Sequence, residues 1–486
     1  MKLYLSGHED RYALEQLQLC LFPEEPMEYC EAPFRGDGTI SRLSRGSRYL
    51  TATAKITRNG VTTRGLQRLP LEKESYTLRR RILQRAYYLA ALPQLAAAPP
   101  WGALSGVRPT KLTTRHLLEG GTPVSADRLL EQSFFVTPAR RSLCVQASLA
   151  SVEAARRLAP NDVSVYVGIP FCPTRCSYCS FVSQTEGSAG KLLTPYLEGL
   201  LREIETVGAG MKRAGLQLRT LYIGGGTPTT LSANQLRVLM ETINRHFDHS
   251  RRIEYTVEGG RPDTLDAEKL RLIRELGADR MSINPQTMND AVLRAVGRPH
   301  SAADVERAYA QAVEAGFSSI NMDLIAGLPG DDPQSFAASL DRVLALEPSN
   351  VTIHTLALKK GADLFTRREA LPPQQDVEAM VDCANRTLAD RGYRPYYLYR
   401  QKYMSGSLEN VGWCRDGDLG LYNIYMMEEL SSVLALGGGA VSKRKLPEHR
   451  LERQCNPKYS KQYVERIDEV LAAKTALLTQ LSKIDE

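Results

Sequence analysis

Cys172, Cys176 and Cys179 stand within eight residues, as Cys172-Pro-Thr-Arg-Cys176-Ser-Tyr-Cys179. A C-x3-C-x2-C spacing supplies three thiolates from one loop, enough for three irons of a 4Fe-4S cube, and leaves the fourth iron without a protein ligand. The position where a fourth sulfur would most simply follow, two after Cys179, is Phe181. An open iron binds a small molecule directly, and the amino and carboxylate groups of S-adenosylmethionine suit it. Zinc or a structural thiol cluster is the other use of such cysteines, although zinc sites prefer paired C-x2-C and four ligands.

Other residues carry chemistry that a nucleoside-bearing amino acid would need. Gly224-Gly225-Gly226-Thr227-Pro228-Thr229 lets a ligand come close to the backbone, whose C=O and N–H groups can hold an amino group. Taken alone, such a run is as readily a tight turn. Glu258 is suited to an ammonium, and its plain alternative is a solvated carboxylate at a strand end. Asp323 interrupts the apolar run Ile320-Asn321-Met322-Asp323-Leu324-Ile325, where an ionised carboxylate is costly unless partnered, so a ribose hydroxyl fits. Gln286 can meet the same ribose, Arg298 can clamp a carboxylate through its planar fork, and Tyr178 can lie along an adenine.

These residues need elements to position them. From about residue 163, short apolar, β-branched runs alternate six times with amphipathic stretches. The strand candidates are Val163–Pro170, Leu218–Gly226, Ile253–Gly259, Arg280–Pro285, Ser319–Ala326 and Asn350–Leu358. Between them fall helix patterns at Pro195–Ala214, Ala233–His246, Ala267–Leu276, Ala302–Ala315 and Pro333–Leu346, with Ser232 and Asp266 as N-caps. Apolar strands separated by helices predict an α/β fold with a parallel sheet and right-handed crossovers. Six units fall short of the eight of a closed barrel, so an open, partial (βα)6 TIM-like barrel is expected. Ligands bind at the carboxyl ends of such strands, where every motif above is found.

The flanks read differently. Residues 1–155 predict a separate α+β domain, with strands at Lys2–Ser6 and Arg48–Thr57, an Asn59-Gly60 hairpin turn, and a helix over Glu74–Ala91. The barrel occupies 160–360, and 361–486 forms a mixed, helical extension covering the substrate. In that extension a helix at Gln375–Arg391 precedes the aromatic run Tyr393-Arg394-Pro395-Tyr396-Tyr397-Leu398-Tyr399, and Lys458–Leu481 is helical.

Composition narrows the class. At 486 residues and 43% hydrophobic content the chain can bury large cores. No apolar run approaches the ~18 residues of a membrane span, and the start lacks a signal peptide's apolar region. The cysteines outside the motif are scattered, which argues against a disulfide framework and for a reducing cytoplasm. A net charge of +7 is modest; Arg79-Arg80-Arg81 and Lys443-Arg444-Lys445 lack the interleaved aromatics of a nucleic-acid platform and read as solvated surface.

In order along the chain, Tyr166-x5-Cys172-x3-Cys176-x-Tyr178-Cys179, Gly224–Thr229, Glu258, Gln286, Arg298 and Asp323 resemble the radical S-adenosylmethionine (SAM) enzymes of oxygen-independent haem synthesis, the coproporphyrinogen III oxidases or dehydrogenases. Trp101-Gly102 through Arg108-Pro109-Thr110-Lys111, Ser282 to Asn289, and Tyr397-Leu398-Tyr399-Arg400-Gln401-Lys402 resemble the HemZ-type branch over nearly the whole chain. The resemblance implies oxidative decarboxylation of two propionates of coproporphyrinogen III to vinyl groups, giving protoporphyrinogen IX. It implies a 4Fe-4S cluster, two SAM molecules, and a low-potential electron donor such as flavodoxin or ferredoxin. On that pattern Tyr166, Gly225 and Glu258 serve one SAM, and Gly226, Thr227, Tyr178, Gln286, Arg298, Asp323 and Val441 are shared between the two sites. Lys359, Lys360, Arg400 and Lys402 are candidate partners of the substrate's propionates, against an ordinary reading as surface charge.

Two departures keep alternatives open. Phe181 stands where the best-studied branch has a further cysteine, and a related haem chaperone shares that departure. The chaperone's His-Asn-x-x-Tyr-Trp haem motif is replaced here by Glu409-Asn410-Val411-Gly412-Trp413-Cys414, without the histidine. A radical methylase that opens the haem ring uses the same scaffold.

Overall fold

The computed structural model describes the chain except for residues 182, 186–189, 360, 368–369, 402–403, 448–449 and 483–486. It divides into two units, Met1–Gln146 with Gly406–Leu408, and Ala147–Ser405 with Glu409–Glu486. In the first unit, β1 (Lys2–Ser6), β2 (Glu28–Cys30), β3 (Gly38–Arg45), β4 (Tyr49–Arg58) and β5 (Val61–Pro70) form one sheet in the order β2-β1-β3-β4-β5. Asn59 and Gly60 turn the β4–β5 hairpin with φ of 50° and 77°, the conformation for which Asn-Gly is selected. Leu3, Leu14, Leu17, Ile82, Leu83 and Tyr87 knit the sheet to the helices Arg11–Leu21 and Tyr76–Ala91.

The second unit is built on β6 (Asp162–Ile169), a short parallel pair β7 (Phe171–Cys172) and β8 (Gln184–Thr185), β9 (Gln217–Gly225), β10 (Glu254–Gly260), β11 (Arg280–Ile283), β12 (Ser319–Ala326) and β13 (Asn350–Thr355). Strands β6, β9, β10, β11, β12 and β13 lie side by side in that order, all parallel. Helices fill the crossovers. Ser232 accepts from Gln235 N–H in a capping box, and Asp266 accepts from Lys269 N–H, as their positions before amphipathic runs predict.

Residues after 359 do more for the sheet than their loosened pattern announces. They supply β14 (Arg394–Tyr399), β15 (Asn410–Cys414), β16 (Ser432–Leu436), β17 (Val441–Lys445) and β18 (Leu451–Cys455). The full order is β14-β15-β13-β12-β11-β10-β9-β6-β16-β17-β18, an open sheet of eleven strands, with β16 parallel to β6 and β15 antiparallel to β13. The expected single helix over Lys458–Leu481 is two, Ser460–Glu465 and Ile467–Leu481, because Arg466 takes φ −116° and ψ 25° between them. Among the described residues no helix is long and apolar enough to cross a membrane.

The strands are not the continuous apolar runs expected. One face is apolar: Val163, Val165 and Val167; Leu221 and Ile223; Tyr255 and Val257; Met281 and Ile283; Met322 and Leu324; Val351 and Ile353 are all buried. The other is polar: Ser164, Tyr166 and Gly168; Thr220, Tyr222 and Gly224; Glu254, Thr256 and Glu258; Arg280 and Ser282; Asn321 and Asp323; Asn350, Thr352 and His354. Successive side chains of a strand point to opposite faces, so this period of two separates a helix-packed layer from a polar interior. Ordinary (βα) barrels fill that interior with bulky branched residues; this one fills it with hydrogen-bonding groups.

Candidate functional site

The polar interior is organised in layers from the amino to the carboxyl ends of the strands. At the first layer Glu254 accepts from the N–H groups of Leu421 (2.6 Å) and Tyr422 (3.0 Å), the start of the helix Leu421–Glu428. Arg280 donates to Asp418 (2.9 Å) and Asn350 (2.6 Å), so residues 418–422 close that end. Above it Tyr166, Tyr222 and Tyr422 stack, with centroids 6.2 Å apart between the first two and 4.7 Å between the last two. Burial pushes all three hydroxyls up, and the charge of Glu258 adds to it.

The third layer is the mouth at the carboxyl ends. β6 runs into the cysteine loop; Gly226 N–H donates to Ile169 C=O (2.9 Å) and Thr227 N–H to Phe171 C=O (2.8 Å), tying the glycine turn of β9 against it. Gly225 has φ +125°, a conformation open to glycine. A Cβ on Gly226 would lie 2.8 Å from Cys172 Sγ, and one on Gly224 would lie 2.7 Å from a Glu258 oxygen. The Thr227 hydroxyl lies 3.6 Å from Cys172 Sγ. Burial raises the Cys172 thiol, with the Cys176 thiol adding to it, and pushes Cys179 up to about 11, with the Cys176 and Cys172 thiols adding.

Two carboxylates face each other electrostatically in this mouth. Burial, then the neighbouring charge of Asp323, pushes Glu258 up to about 8, against the pull of a Gly225 N–H 3.3 Å away. Asp323 goes the other way. Burial works to raise it, but His354 Nε2 at 3.5 Å, an Asn321 amide at 2.7 Å and Thr352 outweigh that and hold it below the usual carboxylate value. One carboxyl is thus poised to ionise when a cation arrives, and the other is already ionised.

Gln286 sits at φ +68°, held by its N–H on Asp323 C=O (2.9 Å) and by Ile325 N–H on its own C=O (2.8 Å). Its side-chain Oε1 is buried without a hydrogen-bond partner among the described residues. Arg298 is buried and donates to Asn284 C=O (2.9 Å), Gly260 C=O (3.2 Å) and the Tyr178 hydroxyl (3.2 Å), while its Nε has no partner among the described residues. Gly437 abuts Gly168, where a Cβ would meet the Gly168 carbonyl at 2.5 Å, and Val441 opens β17 just past that glycine loop.

Lys359 is exposed beyond the end of β13, Arg400 is buried after β14, and Lys360 and Lys402 lie outside the described residues. Phe181 is 69% exposed. Sequence reasoning passed over Tyr222 and Tyr422. Tyr222 was findable, since it pairs across the sheet with Tyr166 two residues before the glycines. Tyr422 was not, because it enters from a helix far along the chain.

This arrangement fits a cube and its amino-acid ligand. Among the described residues no three His, Cys, Asp or Glu side chains converge on one ion, whereas a 4Fe-4S cube takes one sulfur per iron. Three thiols from one loop, a backbone turn with no Cβ against Cys172, and unpartnered polar atoms on Gln286 and Arg298 are the features such a pair would use.

Comparison with known proteins bears on the same residues. Residues 166–343 match the radical SAM superfamily. The oxygen-independent coproporphyrinogen-III oxidase-like protein HemZ of Bacillus subtilis is 34% identical over 99% of this chain and 98% of its own length. Partial matches divide: the haem chaperone HemW of Bacillus subtilis is 34% identical over 48% of this chain and 62% of its own. The oxygen-independent coproporphyrinogen III oxidase of Pseudomonas aeruginosa is 36% identical over 49% and 52%. The solved structure of the Escherichia coli coproporphyrinogen III oxidase HemN, a radical SAM enzyme, aligns with a TM-score of 0.52 at 26% identity, covering 67% of this chain and 73% of that one. A thiol loop, a glycine turn and a polar mouth on six parallel strands, joined to an end-to-end match, place the chain in the radical SAM superfamily and in the HemZ family of oxygen-independent coproporphyrinogen-III oxidase-like proteins.

Proposed function

We propose that the chain is a coproporphyrinogen III dehydrogenase, converting two propionate side chains to vinyl groups without oxygen. The observation that carries this reading is the end-to-end match with an oxidase-like protein; the chaperone and the oxidase matches each cover about half of the chain. Radical SAM proteins carry a 4Fe-4S cluster and use SAM; when bound, this pair supplies a hydrogen-abstracting 5′-deoxyadenosyl radical. Cys172, Cys176 and Cys179 hold the cluster. Glu258 and the Gly225 turn receive the methionine ammonium, Asp323 and Gln286 the ribose, Arg298 a carboxylate, and Tyr178 the adenine. Tyr166, Gly226, Thr227 and Val441 complete the walls, and two SAM molecules are accommodated as in the resembling oxidases. The polar interior below the mouth is closed by residues 418–422, which keeps that end from solvent. Each propionate loses one hydrogen atom from its β-carbon, carbon dioxide, and one electron to an acceptor. Lys359 and Arg400, with Lys360 and Lys402, are the candidate carboxylate partners.

The second reading, a haem-handling protein, rests on exposed Phe181 in place of a cysteine and on the chaperone matches. Anaerobic turnover separates the two. The reconstituted chain is given SAM, a low-potential reductant, coproporphyrinogen III and cell extract as electron acceptor. Loss of two carbon dioxide units per macrocycle, abolished by Cys176→Ala, is the expected result. Cleavage of SAM with the porphyrinogen untouched, alongside stable haem binding, overturns it.

A further inference from the structure

The cysteine loop makes little regular structure of its own. Within it, Cys179 N–H donates to Cys176 C=O at 3.1 Å, and its hold comes chiefly from other elements. On one side, Ser177 N–H donates to Val296 C=O (3.0 Å) and the Thr174 hydroxyl to Gly297 C=O (3.3 Å). On the other stands Arg261, just past the end of β10 and only 4% exposed. Its Nη1 donates to the Thr174 hydroxyl at 2.7 Å and toward the Thr174 carbonyl at 3.4 Å. Its other edge lies on Asp263, Nε to Oδ1 at 3.0 Å and Nη2 to Oδ2 at 2.8 Å, a two-point carboxylate pair that fixes the guanidinium plane. Behind Asp263 lies His300, buried, with Nδ1 3.3 Å from Oδ1.

Thr174 is two residues from Cys172 and two from Cys176. A buried cation whose fork is fixed by Asp263 and whose remaining nitrogen holds the Thr174 hydroxyl therefore helps set the position of two sulfurs. The same contact holds a buried positive charge against the loop, on a residue two positions from each of Cys172 and Cys176. We propose that Arg261 is a positioning residue for the cluster, docking the cysteine loop through Thr174 while its charge, moderated by Asp263, sets the cluster's reduction potential. This rests on the cluster reading given above. The physical reason is direct: reduction adds negative charge to the cluster, so a nearby cation favours the reduced form and a nearby anion opposes it.

The pair Arg261 and Asp263 makes a signed test possible. Each variant is reconstituted anaerobically as the full chain, and iron content and the midpoint potential of the cluster are measured. Arg261→Gln is expected to retain a smaller fraction of its iron and to shift the potential negative. Asp263→Asn, which uncovers the guanidinium charge, is expected to shift it positive. Arg261→Lys keeps the charge but loses the fork, so iron retention falls while the potential of the loaded fraction stays near wild type. Thr174→Val, which removes the hydroxyl that takes the Arg261 bond and donates to Gly297, is expected to lose iron retention with no shift of potential.

A purely structural role would change iron content without opposite-signed shifts. If Arg261→Gln and Asp263→Asn load fully at the wild-type potential, the proposal is wrong. Shifts of the same sign also overturn its electrostatic half. If Arg261→Gln does not fold, Asp263→Asn and Thr174→Val still decide the two halves separately. A wild-type chain that takes up no cluster removes the cofactor reading itself, an outcome distinct from a loaded wild type with unshifted variants.

Discussion

Glu258 carries the most informative titration in the mouth. Held at about 8 against an ordinary 4.5, it keeps its proton in the folded chain over a range where the unfolded chain has lost it. Stability is then fully present below the ordinary carboxylate range and falls as pH rises through the folded value, so Glu258→Gln is expected to melt higher than wild type at pH ~9 and alike near pH ~4. An incoming ammonium reverses the balance by favouring the charged form. Binding of SAM near neutral pH is therefore expected to release a proton, read by calorimetry in buffers of different ionisation enthalpy. Glu258→Gln should diminish that release and weaken binding roughly 10–100-fold, the loss of one charge-assisted hydrogen bond. The cysteines, Glu258 and Asp323 could be singled out as candidates because thiols at fixed spacing and carboxylates in strands have few idle uses. Arg261 stood at a strand end with no role of its own, because its partner Thr174 lies 87 residues away.

Among the elements, the glycine turn ending β9 shows why spacing alone undersells a motif. Gly226 needs no unusual dihedral; it needs the absence of a Cβ, which would lie 2.5 Å from Phe171 C=O and 2.8 Å from Cys172 Sγ. Gly226→Ala is expected to cost about 1–3 kcal/mol of stability, as an overpacked contact does, and to fold. Its iron content and cluster absorbance after reconstitution should fall well below wild type, because relief comes by moving Cys172. The six strands and their helices were readable to within a few residues from β-branched runs and N-caps. Their alternation was missed, since each polar residue in an apolar strand was weighed singly. Strands β14 to β18 were hidden by glycines and tyrosines whose strand character comes from neighbours such as β6 and β13.

Across the whole second unit, one buried ion pair joins distant parts of the chain. Glu203 and Lys474 are both fully buried, 3.7 Å apart. Glu203 accepts from Gly437 N–H (2.8 Å), Asn456 (2.8 Å) and the Tyr463 hydroxyl (2.6 Å), and Lys474 donates to Ala435 C=O (2.6 Å) and Ser442 (2.8 Å). The pair therefore anchors the glycine loop between β16 and β17 to the helices Leu193–Arg213 and Ile467–Leu481. Lys474→Met alone leaves a buried carboxylate uncompensated and is expected to cost ~3–5 kcal/mol. Adding Glu203→Gln should recover part of that, a coupling measurable by melting the two single variants and the double.

The place of β16 beside β6 also has a consequence for synthesis on the ribosome. The first strand of the barrel is made early, and its second neighbour, Ser432–Leu436, emerges when most of the chain is already out. Until then the nascent chain carries an unpaired backbone edge along Asp162–Ile169, the kind of edge that recruits other strands. Translation products stopped before Ser432 should accordingly aggregate or be captured by chaperones more than the 486-residue chain, in which that edge is paired. The order of synthesis makes β16, with β17 and β18 beyond it, a late seal for the first strand of the barrel.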